Sequence, residues 1–313
     1  MPNVSVIIST FNRPSLLRQA IESVCSQSFQ DWELIVINNG STDDTAQVIS
    51  EYVQKDSRIS SVFQKRSILS RVRALGSRLA KGEYVTYLDD DDYYFPNKLD
   101  VQVEFLDKHK DIALVYSYLD LVDENQKIIR VLPEKPAANY LELIHGNAIQ
   151  LSSALFRRKC FNQIGSFNTS LDSCDDYEFC LRLTKNFPIA FLPVNVGIYR
   201  WHSQNMSHKK VLRIKNEINI YKQIWKESLI QEERTAILRR VLELTYWRAS
   251  DAFASGHYSD ACLYFFMAIY FDPFIGLSVP WGRFSNSIFQ FFKPYWAFVY
   301  SALKLIFVRR SNV

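Results

Sequence analysis

Residues 83–92 read Glu-Tyr-Val-Thr-Tyr-Leu-Asp-Asp-Asp-Asp, an apolar, β-rich run that ends abruptly in four consecutive carboxylates. The pattern predicts a buried strand whose C-terminal end delivers acids into a crevice, where open α/β sheets bind ligands. Two carboxylates ~4 Å apart repel each other by about 1 kcal/mol even in bulk water, so we expect a compensating positive charge. Mg²⁺ or Mn²⁺, which prefer oxygen ligands, would supply it. The alternative is a solvated acidic turn before a helix that Pro96 starts.

Around this segment, the first 116 residues alternate short apolar runs with amphipathic stretches. Strands are predicted at residues 4–8, 33–37, 59–63, 83–88 and 112–116. Helices are predicted between them, around residues 16–24, 46–53 and 72–80. Repeated strand–helix–strand units predict an α/β fold with a mostly parallel central sheet.

Composition narrows the class of protein. The chain has 313 residues, of which 48% are hydrophobic and 22% charged, so we expect a globular protein with room for more than one domain. The net charge is only +4 and the basic residues are scattered, so no nucleic-acid partner is expected. The five cysteines form no CxxC pair, and no signal peptide is evident, which predicts a reduced, cytoplasmic location.

Polar turns follow the first two predicted strands, at residues 9–14 and 38–44. We expect Ser41 or Thr42 to be the N-cap of the next helix, with acids in its first turn. Ordinary β–α turn chemistry is the alternative. Because the carboxyl ends of parallel strands meet at one edge, these turns and the aspartates together favour a nucleotide pocket. No GxGxxG or GxxxxGK[ST] motif is present, so phosphate would be met by metal and side chains.

Several motifs occur in an order that resembles a known family. They are Val-Ser-Val-Ile-Ile-Ser-Thr-Phe-Asn-Arg-Pro at 4–14, Glu-Leu-Ile-Val-Ile-Asn-Asn-Gly-Ser-Thr-Asp-Asp at 33–44, Arg-Val-Arg-Ala-Leu-Gly at 71–76 and the aspartate segment at 82–92, followed by 152–157, 165–168, 175–183 and 199–202. Together they resemble a family 2 glycosyltransferase with the GT-A fold, over about the first two thirds of the chain. The resemblance implies a GT-A domain at 1–210, with a nucleotide-binding half at 1–116 and an acceptor half at 117–210. Residues 211–313 are predicted to form an α-helical C-terminal region.

The resemblance also implies roles for individual residues. Asp89 and Asp91 match the family's DxD motif, with Asp89 toward the ribose, Asp91 on the metal and Asp92 supporting both. The other implied donor-binding residues are Thr10, Phe11, Asn12, Arg13, Asn39, Arg73 and Asp90. The family usually has Asp at the position of Asn39 and Asn at that of Ala74. An amide both donates and accepts hydrogen bonds, so the base is left open among uridine, thymidine and guanosine, with a UDP-sugar favoured.

A second acidic block lies at residues 175–178. Its apolar continuation predicts a helix over 175–186, and the helix dipole is expected to lower the pKa of Asp176 and keep it ionised. First-turn acids also occur as ordinary helix decoration. The resemblance aligns the family's general base with Asp176, with Asp175 and Glu178 as supporting residues.

His202 and Trp201 follow the last motif. A lone histidine is often structural, but in the family a histidine here approaches the metal or diphosphate, so His202 is a candidate metal ligand. Trp201 is expected either to stack on an acceptor sugar or to fill the core.

These features predict a metal-dependent, inverting, non-processive glycosyltransferase that uses Mn²⁺ or Mg²⁺ and a nucleoside-diphosphate sugar. The expected acceptor is a glycan or lipid-linked oligosaccharide of bacterial surface polysaccharide synthesis. The alternatives are a nucleotidyltransferase, or a catalytically silent scaffold that binds a partner through its C-terminal helices.

The aromatic tail at residues 281–310 bears on location. Lys293 and Lys304 leave too few uncharged positions for a spanning helix, and Pro294 interrupts its start. An aromatic helix with cationic ends predicts peripheral contact with the inner face of the cytoplasmic membrane. Packing on the helical region or on a second subunit is the alternative.

Overall fold

A computed structural model of the chain describes residues 2–203, 205 and 210–254. It divides into two compact units, Met1–Ala236 and Ile237–Val313. The aromatic tail and the predicted helical region beyond residue 254 lie outside the described residues, so the membrane prediction is not addressed by the structure.

The described residues form nine strands and nine α-helices. The strands are β1 (Val4–Thr10), β2 (Trp32–Asn38), β3 (Ile59–Phe63), β4 (Tyr84–Asp89), β5 (Tyr93–Tyr94), β6 (Leu114–Val122), β7 (Ile128–Leu132), β8 (Ala154–Arg157) and β9 (Ile189–Arg200). The helices are α1 (Pro14–Cys25), α2 (Thr45–Lys55), α3 (Leu69–Leu79), α4 (Lys98–Lys108), α5 (Tyr140–Ile144), α6 (Lys159–Ile164), α7 (Asp175–Asn186), α8 (Lys210–Glu227) and α9 (Gln231–Ala254). A 3₁₀ turn over Leu151–Ser153 precedes β8.

One sheet contains all nine strands, in the order β3-β2-β1-β4-β8-β6-β9-β5, with β7 paired to β6. Its first half is parallel, because β1 pairs in parallel with both β2 and β4, and β2 with β3. The second half is mixed: β8 is antiparallel to β4 and β6, whereas β6 and β9 are parallel. The predicted α/β fold is thus confirmed, and the parallel arrangement belongs to the half that carries the strand-end motifs.

Burial explains why these segments form strands and helices. Strands β1, β2 and β4 are almost entirely buried, as expected of parallel strands covered on both faces. Helix α1 begins with Pro14, whose fixed φ suits a first turn, and buries one stripe through Leu17, Ile21 and Val24. Each fully buried side chain of this kind contributes roughly 1.5–3 kcal/mol. The resulting core fixes the strand ends that carry the site.

Strand β6 is longer than predicted, since it runs past residue 116 to Val122. Buried Ser117 interrupts the apolar run that the prediction relied on, but Gln102 Nε2 donates to its hydroxyl at 3.0 Å. A polar residue whose hydrogen bond is satisfied is tolerated in a strand interior. The short helix α5 begins after Asn139, whose side chain accepts from the Glu142 N–H.

Helix α8 packs on the first unit. Tyr221 is fully buried and donates to the Ile144 carbonyl at 2.6 Å, and Asn216 Nδ2 donates to Asp172 at 2.6 Å. These contacts join α8 to the preceding part of the first unit, and the domain boundary that the sequence predicts at residue 210 stays a prediction. Among the described residues, no helix combines the length and apolarity needed to cross a bilayer.

Candidate active site

Three strand ends meet at one edge of the sheet. Thr10 at the end of β1 is in register with Asn38 of β2, and Ser9 is in register with Asp89 of β4. The chain therefore leaves three adjacent parallel strands at the same level, and the polar segments that follow them lie side by side. This is the crevice that the sequence predicts.

The turns after β1 and β2 are hydrogen-bonded to each other. The Asn12 backbone N–H donates to Ser41 Oγ at 3.0 Å, and the Thr42 N–H donates to Asn12 Oδ1 at 2.9 Å. Asn12 has a left-handed φ of 53°, which asparagine tolerates better than most residues. The two turns thus form one rigid lip of the crevice.

This pairing overturns the predicted N-cap of α2. Helix α2 begins at Thr45, after Asp44, and no acid lies in its first turn. The Ser41 hydroxyl accepts from the neighbouring turn instead, and Asp43 Oδ1 accepts from the Thr45 N–H at 3.0 Å. The motif residues serve a contact between strand ends, which a helix-capping rule does not describe.

Asn39 is buried, and its amide holds the loop over residues 64–67. Its Nδ2 donates to the Ser67 carbonyl at 2.9 Å, and its Oδ1 accepts from Gln64 Nε2 and the Ser67 N–H. Gly40, with φ of 80°, has no room for a Cβ, which would lie 2.7 Å from the Arg66 nitrogen. The structure therefore gives Asn39 a positioning task. Its predicted role in donor binding stays a prediction.

The Arg66 guanidinium, carried by the same loop, stacks over the Phe11 ring, 3.6 Å from the ring centroid. A cation at this distance over an aromatic face is attracted by the ring quadrupole. Phe11 and Arg66 together form a flat wall beside the lip.

Two arginines neutralise the aspartate run. Arg13 Nη1 lies 2.8 Å from Asp90 Oδ1 and 2.7 Å from Asp91 Oδ2. Arg73 lies 3.0 Å from Asp89 Oδ1 through Nη2. The compensating positive charge that the sequence predicts is therefore present, supplied by two arginines of the protein itself, and the additional metal ion stays a prediction. The solvated acidic turn is wrong, since Asp90, Asp91 and Asp92 are buried.

Burial sets the protonation of the middle of the run. It raises the pKa of Asp90 to about 6, the charge on Asp91 adds to the rise, and Arg13 opposes it. Burial also raises the pKa of Asp92 well above its ordinary value, helped by the charges of Asp91 and Asp89.

Asp92 is held from both sides. It accepts from Ser152 Oγ at 2.7 Å and from the Arg200 backbone N–H at 3.1 Å. Ser152 Oγ also accepts from the Asp89 N–H at 3.4 Å, so the 3₁₀ turn before β8 clamps the aspartate segment. Asp92 thereby ties the end of β4 to the end of β9.

Arg73 links the aspartate run to helix α7. Its Nη1 lies 3.1 Å from Asp175 Oδ2, and both side chains are almost fully buried, at 7% and 4% exposure. Burial alone would lower the pKa of Arg73, but Asp175 and Asp89 raise it, so the guanidinium stays charged. These contacts make Arg73 a bridge between two acidic segments, and its predicted role in donor binding stays a prediction.

Asp176 stands beside this bridge, at the first turn of α7. Burial raises its pKa to about 6, the charge of Asp175 adds to the rise, and Arg73 opposes it. The predicted lowering by the helix dipole is therefore wrong, because burial and a like charge outweigh the dipole. Asn147 Nδ2 donates to Asp176 Oδ2 at 3.1 Å.

Glu178, the other predicted supporting residue, faces a different task. It pairs with Arg182 at 2.8 Å, and Arg182 Nη2 donates to the Ser166 carbonyl at 2.8 Å. Glu178 thus fixes α7 against the turn after α6.

His202 reaches the aspartate run from the segment after β9. Its Nε2 lies 3.0 Å from Asp91 Oδ2. Asn205 holds this segment, because its Oδ1 accepts from the His202 N–H and its Nδ2 donates to the Arg200 carbonyl at 3.0 Å. The Trp201 backbone N–H donates to the Val122 carbonyl at 2.7 Å, and because Trp201 is 37% exposed it does not fill the core.

Asp91 and His202 would fit a divalent cation whose remaining ligands come from the substrate. Asp91 and His202 offer one carboxylate and one imidazole, a set that suits Mn²⁺. No cluster of three or more acidic, histidine or cysteine side chains able to hold a metal occurs in the described part of the chain. Mg²⁺ and similar ions are typically held by one or two carboxylates plus substrate phosphates, so a two-residue set is consistent with such a site.

Sequence reasoning missed the residues that hold the named ones. They are Arg66, Asn147, Ser152 and Asn205. Ser152 lies within a motif of the family resemblance, so a signal existed for it. The other three are polar residues in loops, and the sequence carries no spacing that marks them.

Comparisons with known proteins agree with this arrangement. A family model described as "Glycosyl transferase family 2" matches residues 5–165. An uncharacterised glycosyltransferase of Rickettsia felis is 32% identical over 243 residues, covering 74% of this chain and 39% of the relative. An uncharacterised glycosyltransferase of Methanocaldococcus jannaschii is 30% identical over 199 residues, covering 59% of this chain and 66% of the relative. The chain thus spans well under half the length of the Rickettsia felis relative.

Two solved structures share the fold. Residues 1–349 of Staphylococcus aureus TarS, in complex with UDP-GlcNAc, superpose with a TM-score of 0.64 at 19% identity, covering 80% of this chain and 73% of that one. The mannosyltransferase PcManGT of Pyrobaculum calidifontis, in complex with GDP-Man and Mn²⁺, gives a TM-score of 0.59 at 16% identity, covering 87% and 82%. With the family model spanning half of its residues, the chain belongs to glycosyltransferase family 2 and has the GT-A fold.

Proposed function

We propose that this glycosyltransferase is metal-dependent and inverting, and that it moves one sugar from a nucleoside diphosphate to an acceptor hydroxyl. The observation that carries the proposal is the Arg73 bridge. One guanidinium contacts Asp89 at 3.0 Å and Asp175 at 3.1 Å, so the start of α7 lies beside the strand-end carboxylates. A donor held at the strand ends would therefore present its sugar to Asp176.

The donor half of the site is the crevice between the lip and the wall. Thr10 ends β1 and is followed by Phe11 and Asn12, Asn39 follows β2, and Asp89 ends β4. We propose that this surface takes the nucleoside, with Asp89 toward the ribose and Arg13, beside Asp90, toward the diphosphate. The TarS structure with UDP-GlcNAc and the PcManGT structure with GDP-Man support a nucleotide-sugar donor. Between uracil and guanine, the bases of these two donors, we favour uracil.

We assign the metal to Asp91 and His202. When bound, Mn²⁺ or Mg²⁺ supplies positive charge that stabilises the departing diphosphate. The PcManGT complex with Mn²⁺ supports a divalent cation at a site of this fold.

Asp176 is the proposed general base. Its carboxylate takes the proton of the acceptor hydroxyl while the hydroxyl oxygen forms a bond to the anomeric carbon, and the bond from that carbon to the diphosphate oxygen breaks. A single displacement of this kind inverts the anomeric centre. A base with a pKa of about 6 is largely ionised at neutral pH and still accepts a proton readily, which suits this task.

We propose that the acceptor reaches Asp176 past Asn147 and that Trp201 contributes an aromatic surface. Asn147 is exposed and contacts Asp176, and Trp201 offers a half-exposed aromatic face for a sugar ring. We propose a glycan or lipid-linked acceptor in surface polysaccharide synthesis and a non-processive reaction. Contact of residues 281–310 with the inner membrane surface is proposed on composition alone. Family membership favours this reading over a nucleotidyltransferase or a silent scaffold.

The experiment is a calorimetric titration of UDP and GDP into the wild-type protein and Asp91→Ala, each with and without Mn²⁺. We expect the wild type to bind one of the nucleotides only with Mn²⁺, and Asp91→Ala to bind neither measurably. Asp107→Ala, which removes an acid on the far end of α4, is the matched control and should behave as wild type. Equal nucleotide affinity in Asp91→Ala and wild type would refute the metal assignment.

A further inference from the structure

One oxygen of the aspartate run has two partners. Asp91 Oδ2 lies 2.7 Å from Arg13 Nη1 and 3.0 Å from His202 Nε2. The three groups come from the N-terminal end of α1, the turn after β4 and the segment after β9. Asp91 and His202 are 10% and 16% exposed, and Arg13 is 22% exposed.

These two contacts use the hydrogen-bonding capacity of that oxygen. A carboxylate offers about four lone-pair sites on two oxygens, so each oxygen accepts roughly two partners. A divalent cation that binds Asp91 Oδ2 must therefore displace one of them. The imidazole of His202 has a nitrogen that can turn its lone pair to the ion, whereas a guanidinium is always protonated and is repelled by it.

Arg13 has another anchor when it leaves Asp91. Its Nη1 also lies 2.8 Å from Asp90 Oδ1, and its side chain is partly exposed toward the crevice. A guanidinium binds phosphate oxygens through two parallel hydrogen bonds, which makes a diphosphate a good new partner.

We propose that Arg13 is an exchangeable counter-ion of the metal site: it neutralises Asp91 until a divalent cation takes its place, and it then contacts the diphosphate of the donor. The inference rests on the proposed function, because it assumes a metal at Asp91 and a nucleotide donor. The exchange makes cation binding and nucleotide binding mutually favourable. The cation takes Asp91 from Arg13, and the diphosphate of the nucleotide replaces Asp91 as the partner of Arg13. Such coupling is reciprocal in free energy.

The experiment measures Mn²⁺ binding in the absence of nucleotide, by the electron paramagnetic resonance signal of free Mn²⁺, at about pH 8 so that the carboxylates are ionised. The proteins are wild type, Arg13→Met, Arg13→Lys and Arg18→Met. Arg18 lies on the same helix and pairs with Glu51 at 2.9 Å, so its replacement is the matched control for lost surface charge. UDP or GDP, whichever the wild type binds, is then titrated with Mn²⁺ present.

We expect Arg13→Met to bind Mn²⁺ alone roughly five- to tenfold more tightly than wild type, and the nucleotide roughly tenfold more weakly. Arg13→Lys keeps the charge but not the planar fork, so it should bind Mn²⁺ like wild type and the nucleotide more weakly. Unchanged or weaker Mn²⁺ binding in Arg13→Met overturns the proposal, as does tighter Mn²⁺ binding in Arg13→Lys or in Arg18→Met.

A separate variant distinguishes this failure from failure of the proposed function. Asp91→Asn should lose Mn²⁺ binding whatever Arg13 does, because an amide is a poor replacement for a carboxylate ligand. Wild-type Mn²⁺ affinity in Asp91→Asn would refute the metal site itself. Lost binding in Asp91→Asn with no gain in Arg13→Met would refute only the exchange.

Discussion

Two arginines in one crevice each join two carboxylates, yet they are placed for different tasks. Arg73 is 7% exposed and connects Asp89 to Asp175, residues 86 positions apart on different elements. Arg13 is 22% exposed and connects Asp90 to Asp91, which are neighbours in sequence. A buried bridge between elements holds the site together, whereas a more exposed cation on adjacent acids is able to exchange. The difference lies in burial and connectivity, since the residue type is the same.

The largest expected effect concerns the chemistry that the Arg73 bridge serves. Asp176→Asn should lower kcat by roughly 10²- to 10⁴-fold, because the amide cannot accept the proton of the acceptor hydroxyl. Donor affinity, measured by calorimetry with Mn²⁺, should stay within about twofold of wild type, since Asp176 lies outside the proposed donor surface. Steady-state rates with the best nucleotide sugar give kcat.

Glu178→Gln is the control on the same helix. Its carboxylate pairs with Arg182 rather than with the crevice, so kcat should fall by less than roughly threefold. If Asp176→Asn keeps its turnover and loses donor affinity instead, Asp176 is structural and the base assignment fails.

The second prediction compares the two arginines directly by stability. Arg73→Met should cost about 3–5 kcal/mol of unfolding free energy, because it leaves buried Asp175 without a counter-charge. Arg13→Met should cost less, about 1–2 kcal/mol, because Arg13 itself is 22% exposed and His202 stays 3.0 Å from Asp91. Urea unfolding followed by circular dichroism measures both. Equal costs would remove the distinction between a bridge and an exchangeable cation.

The sequence predicted the strand ends of the site better than it predicted the partners of the aspartates. Apolar runs in β1, β2 and β4 predicted parallel strands, and from them the convergence of Asn12, Asn39 and Asp89 at one edge. Strand ends are set by local pattern, so they are readable. The partners of the aspartates are not, because Arg13 lies 77 positions from Asp90, and Arg73 lies 102 positions from Asp175.

The pKa of Asp176 shows the same limit. Its place in a first helical turn is visible in the sequence and suggests a lowered pKa. Burial and the charge of Asp175 depend on how α7 packs, and they raise the pKa instead. Likewise, the residue that holds His202, Asn205, is a loop amide with no periodic or motif signal before the loop is folded.

The third prediction concerns the segment after β9 that holds His202 beside Asp91. Asn205→Ala should weaken Mn²⁺ affinity roughly 10- to 100-fold, because it frees the segment that orients His202 beside Asp91. Asn205→Asp keeps the acceptor for the His202 N–H but loses the donor to the Arg200 carbonyl. Its Mn²⁺ affinity should therefore lie between those of the wild type and Asn205→Ala. Mn²⁺ titration monitored by electron paramagnetic resonance checks the order. Wild-type affinity in Asn205→Ala would show that His202 needs no such support or is no ligand.

The smallest expected effect is a shift in pH dependence. The measurement uses saturating Mn²⁺ and donor, so that the bound ligands keep the carboxylates of the donor site ionised. Under these conditions kcat of the wild type should fall as pH drops through about 6, the raised pKa of Asp176. The charged groups that act on Asp176 are Asp175, Asp89 and Arg73. Because the pKa of Asp176 in the folded state lies above the ordinary carboxyl value, protonation of Asp176 stabilises the folded state as pH falls from about 6 toward 4. Loss of rate in that pH window is therefore not caused by unfolding of the protein linked to Asp176.

Asn147→Ala should move this acidic limb to higher pH by less than about one unit. The Asn147 amide donates to Asp176 Oδ2 at 3.1 Å and favours the ionised form, but Asn147 is exposed, so water replaces much of the lost bond. Activity should therefore match wild type near pH 8 and be reduced by less than roughly tenfold near pH 5. Asn147→Asp places a third carboxylate beside Asp175 and Asp176, and like charge should move the limb further in the same direction. A limb that stays in place in both variants, or that persists in the residual activity of Asp176→Asn, would mean that another group titrates, and Asp90, whose pKa burial also raises to about 6, would then be the first to test.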